Sequence, residues 1–262
     1  MRRPPLLFLV LAAVGAAFVA LPPLGLLFRA PWGSAWATLR APASTEALRV
    51  SLVVSLAATV LAFVLGVPLA WVLARSDLPG RTLVRAVVVL PLVLPPVVAG
   101  IGLLAALGRR GLVGRSLETL GVSVPFTTAA AVLAAAFVSL PLLVLAVEAG
   151  IRSLDPRLER AALAMGASPA YVLRRVTLPM LLPQLAAGLV LAWARALGEF
   201  GATITFAGNL RGVTQTLPLA VFEQGQTDPG AAIVLSLVLV AISLAVLIAL
   251  RGRFLPALRT DG

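Results

Sequence analysis

The chain has 262 residues, of which 60% are hydrophobic and 12% charged, and its formal net charge is +11. A soluble domain does not carry that much apolar surface, whereas lipid accepts it on every side of a helix. The sequence contains no Lys, His or Cys. This excludes a GxxxxGK phosphate loop, zinc sites, thiol nucleophiles, Ser-His-Asp triads and disulfides. Any energy source therefore has to come from a partner or an ion gradient.

Six apolar runs follow one another along the chain, and a membrane-spanning helix needs about 20 such residues. Prolines inside the runs, such as Pro91 and Pro95, are tolerated in membrane helices. We therefore predict an all-α, polytopic membrane protein with about six transmembrane helices in a single domain over residues 1–262. The runs lie near Pro5–Phe28, Ala47–Ala74, Thr82–Leu107, Phe126–Val147, Met180–Phe206 and Ala231–Leu250.

The first run also has features of a signal peptide. A basic pair, Arg2-Arg3, precedes it, and Gly15-Ala16-Ala17 resembles a cleavage site. The apolar run continues to Phe28, which is longer than a typical signal core. We favour its retention as a membrane helix and keep cleavage as the alternative.

The placement of arginine predicts the orientation, because cytoplasmic loops carry an excess of basic residues. With a cytoplasmic N-terminus, thirteen of the twenty-one arginines lie on the inner side and seven on the outer side, and Arg195 lies within a span. We therefore predict a cell (plasma or inner) membrane protein with both termini cytoplasmic, although the outer cluster Arg109–Arg115 opposes this. The charges form no patch, so no nucleic-acid partner is expected. The inner arginines are Arg2, Arg3, Arg75, Arg81, Arg85, Arg152, Arg157, Arg160, Arg174, Arg175, Arg251, Arg253 and Arg259.

The connections between the runs contain turn and interface signals. Ser76–Arg81, with the sequence SDLPGR, predicts a tight cytoplasmic turn. Trp32 and Trp36 suit the headgroup level of the first outer loop. We also expect a short helix in the outer loop Leu107–Thr128, and another at TLPLAVFEQ in the outer loop Ala207–Gly230.

The segment Leu154–Pro179 differs from the rest of the chain because its charges have to lie outside the hydrocarbon layer. Asp155 followed by Pro156 predicts a helix start, and Gly166 can take the left-handed conformation that ends a helix. Ser168-Pro169 repeats the start signal, for a second helix that runs toward Thr177 before Pro179 breaks it. The charged residues are Arg157, Glu159, Arg160, Arg174 and Arg175.

The first of these helices is predicted to have two faces. Leu158, Ala161, Ala162 and Met165 recur at helical spacing and form an apolar stripe, with Arg157, Glu159 and Arg160 on the other side. A compact protrusion of this kind offers a surface to a partner in the aqueous phase. From the residues alone, an ordinary cytoplasmic loop without a partner stays equally open.

The spacing in this segment resembles the EAA signature of ATP-binding cassette (ABC) importer permeases. That signature reads EAA, three residues, G, nine residues, I, one residue, LP. Here Ala161-Ala162, Gly166, Val176 and Leu178-Pro179 stand at the same spacing. Two positions depart: Arg160 occupies the place of Glu, with Glu159 beside it, and Val176 replaces Ile.

The resemblance implies a type I ABC importer permease fold and a coupling helix that sits in a cleft of a separate ATPase subunit. The ATPase would use ATP and Mg, so this chain would bind no cofactor or metal, would have no catalytic residue and would not be an enzyme. The residues implied in coupling are Asp155, Arg157, Glu159, Arg160, Ala161, Ala162, Gly166, Ala167 and Ser168.

The fifth run contains two charges within the membrane. Arg195 and Glu199 lie one turn apart on a helix and can pair, and an unpaired Arg near the middle of a span costs about 2.5–3.5 kcal/mol. Thr203, Thr205 and Asn209 continue toward the outer end as hydrogen-bonding groups. Two interpretations stay open: a polar path or gate that attracts an anion, and a neutralised pair that locks two helices together.

The stretch RALGEFGATITFAGNLRGVTQTLPLAVF resembles molybdate and tungstate permeases within this family, and similarity runs from about Leu48 to Leu250. Ala207-Gly208-Asn209 is closer to the related sulfate and thiosulfate permeases. The resemblance implies a permease subunit for a tetrahedral oxyanion, molybdate or tungstate, with sulfate or thiosulfate as the alternative. Its expected partners are a second copy, two ATPase subunits, an extracytoplasmic oxyanion-binding protein and membrane lipid. An ion-coupled secondary transporter is the rival class, with Glu199 as its one deep acidic candidate.

Overall fold

Residues 5–254 are described by the computed structural model, and over this range the chain forms thirteen α-helices and one π-helical turn, without strands. The all-α prediction is confirmed. The helices are α1 Leu6–Arg29, α2 Trp32–Arg40, α3 Pro42–Arg75, α4 Arg81–Val93, α5 Pro96–Leu107, α6 Gly114–Thr119, α7 Thr128–Ser153, α8 Pro156–Ala164, α9 Pro169–Val172, the π-helical turn Leu173–Thr177, α10 Leu178–Leu197, α11 Gly201–Phe206, α12 Leu217–Thr227 and α13 Pro229–Phe254.

Five helical segments in the described range are long and apolar enough to cross a membrane. They are α1, α3, α7, the continuous segment Pro169–Leu197 and α13. Five of the predicted runs therefore contain a spanning helix. The remaining run, Thr82–Leu107, which is the third along the chain, does not form one uninterrupted helix.

The break in that run lies at two consecutive prolines. Leu94 and Pro95 take extended conformations, with ψ of 133° and 134°. A proline disfavours helical geometry in the residue before it and has no N–H to donate. α4 therefore ends at Val93 and α5 begins at Pro96, so the prediction of a single helix here is wrong.

The fifth run differs from its prediction at both ends. Pro179 does not break the helix, because the π-helical turn Leu173–Thr177 immediately before it widens the backbone where the proline ring would otherwise clash with a carbonyl. At the other end α10 stops at Leu197, and Gly198–Phe200 separate it from α11. The predicted span Met180–Phe206 is thus a long helix followed by a short one.

α3, α7 and α10 form the centre of the bundle and pack against one another. Small residues line the contacts among these three helices. Because alanine has a small side chain, the helices can approach one another closely. Leu143, Val144 and Val147 complete the core toward the α10 side. The fully buried alanines include Ala58, Ala62, Ala130, Ala131, Ala134, Ala135 and Ala192.

The first helix lies at the edge of this bundle. α1 contacts α13, yet none of its own residues is buried. Its apolar side chains would need lipid or protein around them. Its retention in the mature chain stays a prediction.

The predicted turn and the two short helices of the connections are confirmed, whereas the headgroup location of Trp32 and Trp36 stays a prediction. Gly80 takes a left-handed conformation with φ of 82° in the turn before α4. α6 is the short helix expected after Leu107, and α12 is the short helix expected at TLPLAVFEQ. Trp32 and Trp36 lie on α2 with exposed rings.

Candidate functional site

The segment between α7 and α10 forms the two-helix protrusion that the sequence predicts. The Asp155 carboxylate accepts from the Arg157 backbone N–H at 2.9 Å, and Pro156 begins α8. The Ser168 hydroxyl accepts a hydrogen bond from the Tyr171 backbone N–H at 3.3 Å, and α9 begins at the next residue, Pro169. Gly166 joins the two helices with φ of 88°.

The apolar stripe of α8 faces away from the bundle. Met165 is 82% exposed and Leu158 49% exposed, and Ala161 is exposed as well. Only Ala162 of this stripe is buried. Exposed apolar groups on a helix this short are typical of a surface that a partner covers.

Glu159 contacts the bundle, unlike the two arginines with which the sequence groups it. The sequence grouped it with Arg157 and Arg160, which are exposed. Instead, its carboxylate turns toward the bundle, where it accepts from Arg75 at 2.8 Å and from the Thr177 hydroxyl at 2.8 Å. Arg75 and Thr177 together stabilise the carboxylate in this partly buried position. The sequence gives no signal for the contact, because local periodicity does not report donors this far along the chain.

A groove of about 560 Å³ opens beside the glycine joint. Arg160 lies outside it and donates to the Pro156 carbonyl at 3.3 Å. The protrusion therefore presents the apolar stripe, this groove and several exposed guanidinium groups together. The groove is lined by Ala162, Met165, Gly166, Ala167, Ser168 and Tyr171.

The two interrupted runs meet inside the bundle, since α5 packs against α11. A Cβ built on Gly201 would lie 2.5 Å from the Pro96 Cβ. A Cβ built on Gly100 would lie 2.7 Å from the Thr205 Cβ and 2.8 Å from the Ala202 carbonyl oxygen. The two short helices approach this closely only because glycine occupies both positions.

Arg195 and Glu199 lie next to this junction, and their predicted pairing is confirmed. Their side chains approach to 2.6 Å between Nη1 and Oε2. Glu199 is 2% exposed, and its other oxygen accepts from the Ala202 backbone N–H at 2.7 Å. Glu199 therefore neutralises Arg195 and also caps the start of α11.

The surroundings of the pair differ from the prediction in one respect. Arg195 lies in the last turn of α10, and Glu199 lies in the break after it rather than on the same helix. The Arg195 side chain is 32% exposed, so part of the guanidinium faces open space. Two residues before Arg195, Trp193 donates to the Ser55 hydroxyl at 3.0 Å and connects α10 to α3.

The three remaining predicted residues have different environments. Thr203 is buried, and its hydroxyl has no hydrogen-bond partner among the described residues. Thr205 donates to the Gly201 carbonyl at 2.8 Å, within its own helix. The Asn209 amide donates to Glu223 at 2.9 Å. Within residues 5–254, the Thr203 hydroxyl is thus without a partner and the Arg195 side chain is partly exposed near the junction.

Glu223 organises the loop before α12, which sequence reasoning did not find. Besides Asn209, its carboxylate accepts from Arg211 at 2.7 Å and from Gln215 at 2.5 Å. The Arg211 guanidinium lowers the pKa of Glu223 below its ordinary value, and the Asn209 and Gln215 amides act in the same direction. No helical or strand spacing relates residues twelve apart, so the sequence offers no signal for this cluster.

A second cluster was also missed. Glu148 of α7 is 4% exposed and accepts from Arg85 of α4 and from Arg152, which also donates to the Leu73 carbonyl at 3.0 Å. The spacing of Glu148 and Arg152 is a readable pairing signal, whereas Arg85 lies 63 residues away. The cluster joins α3, α4 and α7.

We expect Glu223→Gln to loosen the loop before α12 and to lower the melting temperature at neutral pH. The pKa of Glu223 is lowered, so its contribution to stability is full above the ordinary value of 4.5 and is lost as the pH falls through the lower folded-state value. The difference between wild type and variant should therefore shrink below about pH 4.5. Thermal unfolding of the purified protein at descending pH tests this. Glu118→Gln, on α6 and 3.8 Å from the exposed Arg109, is the control. A constant difference across the pH range would contradict the prediction.

Among residues 5–254, no group of three or more acidic side chains is placed to hold a metal ion. The fold and these features define a multi-pass helical membrane protein with a two-helix protrusion between α7 and α10. The family model described as "Binding-protein-dependent transport system inner membrane component" matches residues 62–258. The chain belongs to this family of inner-membrane transport components, and the predicted resemblance to importer permeases is confirmed.

Curated relatives agree with the family model. The molybdenum transport system permease protein ModB of Mycobacterium bovis is 50% identical over 244 residues, which cover 92% of each chain. ModB of Escherichia coli is 43% identical over 82% of this chain and 95% of its own. The sulfate transport system permease protein CysT of Salmonella typhimurium is 36% identical over 85% of this chain and 82% of its own.

Solved structures show the same fold. A bacterial alginate ABC transporter, in complex with an alginate pentasaccharide-bound periplasmic protein, contains a chain that matches with a TM-score of 0.74 and 18% identity. The match covers 98% of this chain and 96% of that chain. A chain of the MetNI methionine ABC transporter matches with a TM-score of 0.61 over 79% of this chain and 92% of its own. The predicted importer permease fold is thus confirmed.

Proposed function

We propose that this chain is the permease subunit of an ABC importer for a tetrahedral oxyanion, molybdate or tungstate. The observation that carries this proposal is the 50% identity to a molybdenum permease along 92% of both chains. The segment from Arg195 to Phe222, which resembles molybdate permeases, builds the helix junction and the loop before α12. A sulfate or thiosulfate permease is the second candidate, supported by the 36% identical sulfate relative.

The proposed transporter contains two copies of this chain, each a single permease domain. Two ATPase subunits, which use ATP and Mg, would bind the apolar stripe of α8. An extracytoplasmic binding protein would deliver the anion. Both termini would be cytoplasmic, which places the protrusion on the ATPase side. Hydrolysis belongs to the partner subunits, so this chain is not itself an enzyme.

We infer that the junction of α5 and α11 is the gate. Both oxygens of Glu199 are engaged, so the pair with Arg195 is close to neutral and acts first as a structural lock. The exposed part of the Arg195 guanidinium is the group that an anion would meet. Movement of either short helix would separate the glycine contacts and open the space between them.

Reconstitution of this chain with its ATPase and binding protein tests the proposal. ATP-driven uptake of molybdate is expected in proteoliposomes that lack proton and sodium gradients. Competition among molybdate, tungstate and sulfate for the purified binding protein identifies the anion. Uptake that needs an ion gradient and no ATP would overturn the importer class, and selective binding of sulfate would favour the second candidate.

Orientation and docking are tested with introduced cysteines, because the chain has none of its own. A cysteine at exposed Ala161 should crosslink to the ATPase subunit. A cysteine at Leu112, which is 88% exposed after α5, should instead react with an impermeant thiol reagent from outside. Labelling of Ala161 from the outside would contradict the proposed orientation.

Gly166→Val is expected to uncouple ATP hydrolysis from uptake. No atom lies within 4 Å of the position of its Cβ, so the cost is backbone strain at φ of 88°, about 1–2 kcal/mol for an added side chain. That strain would change the angle between α8 and α9 while leaving the bundle intact. The ratio of anion transported to ATP hydrolysed measures the effect.

The matched control is Gly121→Val, whose φ of 76° is similar and whose Cβ position is also open. Gly121 lies after α6, far along the chain from the protrusion, so this variant should keep the wild-type ratio. Normal coupling in Gly166→Val would count against a mechanical role for the joint.

A further inference from the structure

Arg75, the last residue of α3, makes the polar connection between this central helix and the protrusion. Its two terminal nitrogens donate to the two carboxylate oxygens of Glu159 on α8, each at 2.8 Å. The guanidinium also lies 5.6 Å from the ring centroid of Trp71, one turn earlier on α3. Bidentate pairing and stacking together hold the guanidinium plane in one orientation.

Thr177 completes the connection from a third element. Its hydroxyl, in a side chain that is 2% exposed, donates to the same Glu159 oxygen that Arg75 Nη2 contacts. Thr177 is the last residue of the π-helical turn that leads into α10. One carboxylate on α8 is therefore bound to the ends of two central helices.

Short non-helical connections join α8 to its neighbours in the chain. Leu154 and Asp155, both with extended backbones, link α8 to α7, and the left-handed Gly166 leads on toward α9. Rotation at either joint would let α8 move without displacing the bundle. A planar, two-point ion pair resists such rotation, since tilting α8 would break at least one of its hydrogen bonds.

We propose that Arg75 is a positioning residue for coupling: through Glu159 it transmits displacement of α8 to α3. α3 packs against both α7 and α10, so its movement would reach the centre of the bundle. The inference rests on the proposed function, because it requires an ATPase that pushes α8. It also explains how Glu159 can matter while Arg160 occupies the place of the Glu in the EAA signature.

The test compares variants of the full importer complex in proteoliposomes, with the ratio of molybdate transported to ATP hydrolysed as the readout. Arg75→Ala is expected to lower this ratio by about two- to fivefold, in line with the modest stabilisation that a partly exposed ion pair gives. Basal ATP hydrolysis and the amount of copurified ATPase should stay close to wild type. Arg75→Lys, which keeps the charge and loses the two-point geometry, should give an intermediate ratio.

The exchange Arg75→Glu with Glu159→Arg separates coupling from folding. It restores an ion pair at the same place, so it should recover at least half of the wild-type ratio, although each single change lowers it. Arg81→Ala is the matched control, because this nearby arginine donates to the Ser76 carbonyl and lies beside Asp77 rather than α8. Its ratio should be unchanged.

A wild-type ratio in Arg75→Ala, or an exchange variant no better than the single variants, would overturn the inference. If Arg75→Ala does not assemble, the lysine and exchange variants still decide it. Failure of the proposed function has a different signature, because the wild-type complex itself would then show no ATP-driven uptake of molybdate.

Discussion

Replacing Glu199 with Ala is expected to remove most of the folded protein from the membrane. The carboxylate is the buried partner of Arg195 and the cap of α11. Removing one member of a buried ion pair costs about 3–5 kcal/mol, because it leaves the other charge uncompensated. Loss of the cap adds about 1 kcal/mol. Against a total stability of about 5–15 kcal/mol, this loss is severe. The yield of monodisperse protein and its melting temperature measure the effect.

Two further variants divide this effect into its parts. Glu199→Gln keeps an acceptor for the Ala202 N–H and loses the charge, so its stability should be intermediate. The double variant Glu199→Gln with Arg195→Met removes both charges and should recover most of the folded yield. Asp77→Ala, at a fully exposed carboxylate, is the control and should change little.

Uptake by the double variant then distinguishes the two interpretations of the pair. A lock between helices predicts transport close to wild type once folding is recovered. A group that contacts the anion in the path predicts folded protein with little uptake. Wild-type stability in Glu199→Ala would contradict the structural argument altogether.

Gly100→Ala is the second change with a large expected effect. The added methyl group would meet the Thr205 Cβ and the Ala202 carbonyl oxygen at less than 3 Å, so α5 and α11 would have to separate. Overpacking of this kind costs about 1–3 kcal/mol, and more where backbone atoms have to move. We expect ATP-coupled transport to fall at least tenfold, because a gate whose two helices are held apart can no longer close. Uptake and thermal stability should be measured together.

Gly102→Ala provides the matched control on the same helix. Nothing lies within 4 Å of its Cβ position, and the residue is exposed. Alanine is the better helix former, so this variant should be as stable as wild type or slightly more stable. Equal behaviour of the two variants would mean that the close approach of α5 and α11 has no functional role.

Local signals predicted the protrusion well. The caps at Asp155 and Ser168 and the left-handed Gly166 each depend on residues within one helical turn, and all three are confirmed. The pairing of Arg195 with Glu199 likewise follows from a spacing of four residues. Short-range geometry of this kind can be read from the chain without knowledge of its fold.

The interruptions of the spans were harder to place. Pro95-Pro96 carries a readable break signal, but a continuous apolar run outweighed it in the prediction. Pro179 carries the same signal and does not break its helix, because a π-helical turn accommodates it. A proline leaves backbone carbonyl groups of a membrane helix without their hydrogen bonds. Whether the helix ends there depends on whether neighbouring groups bond to those carbonyls, and hydropathy does not report this.

By itself, the sequence determined the class of protein, the approximate positions of the spans and the helix–glycine–helix protrusion, since these follow from apolar length and from contacts within a turn. Only the tertiary structure decided that Glu159 turns toward Arg75 and Thr177, that Glu223 binds three residues of the loop before α12, and that α5 meets α11 at two glycines. These features depend on groups that folding brings together from distant parts of the chain. Their energies arise from burial and pairing, which no local pattern of residues encodes.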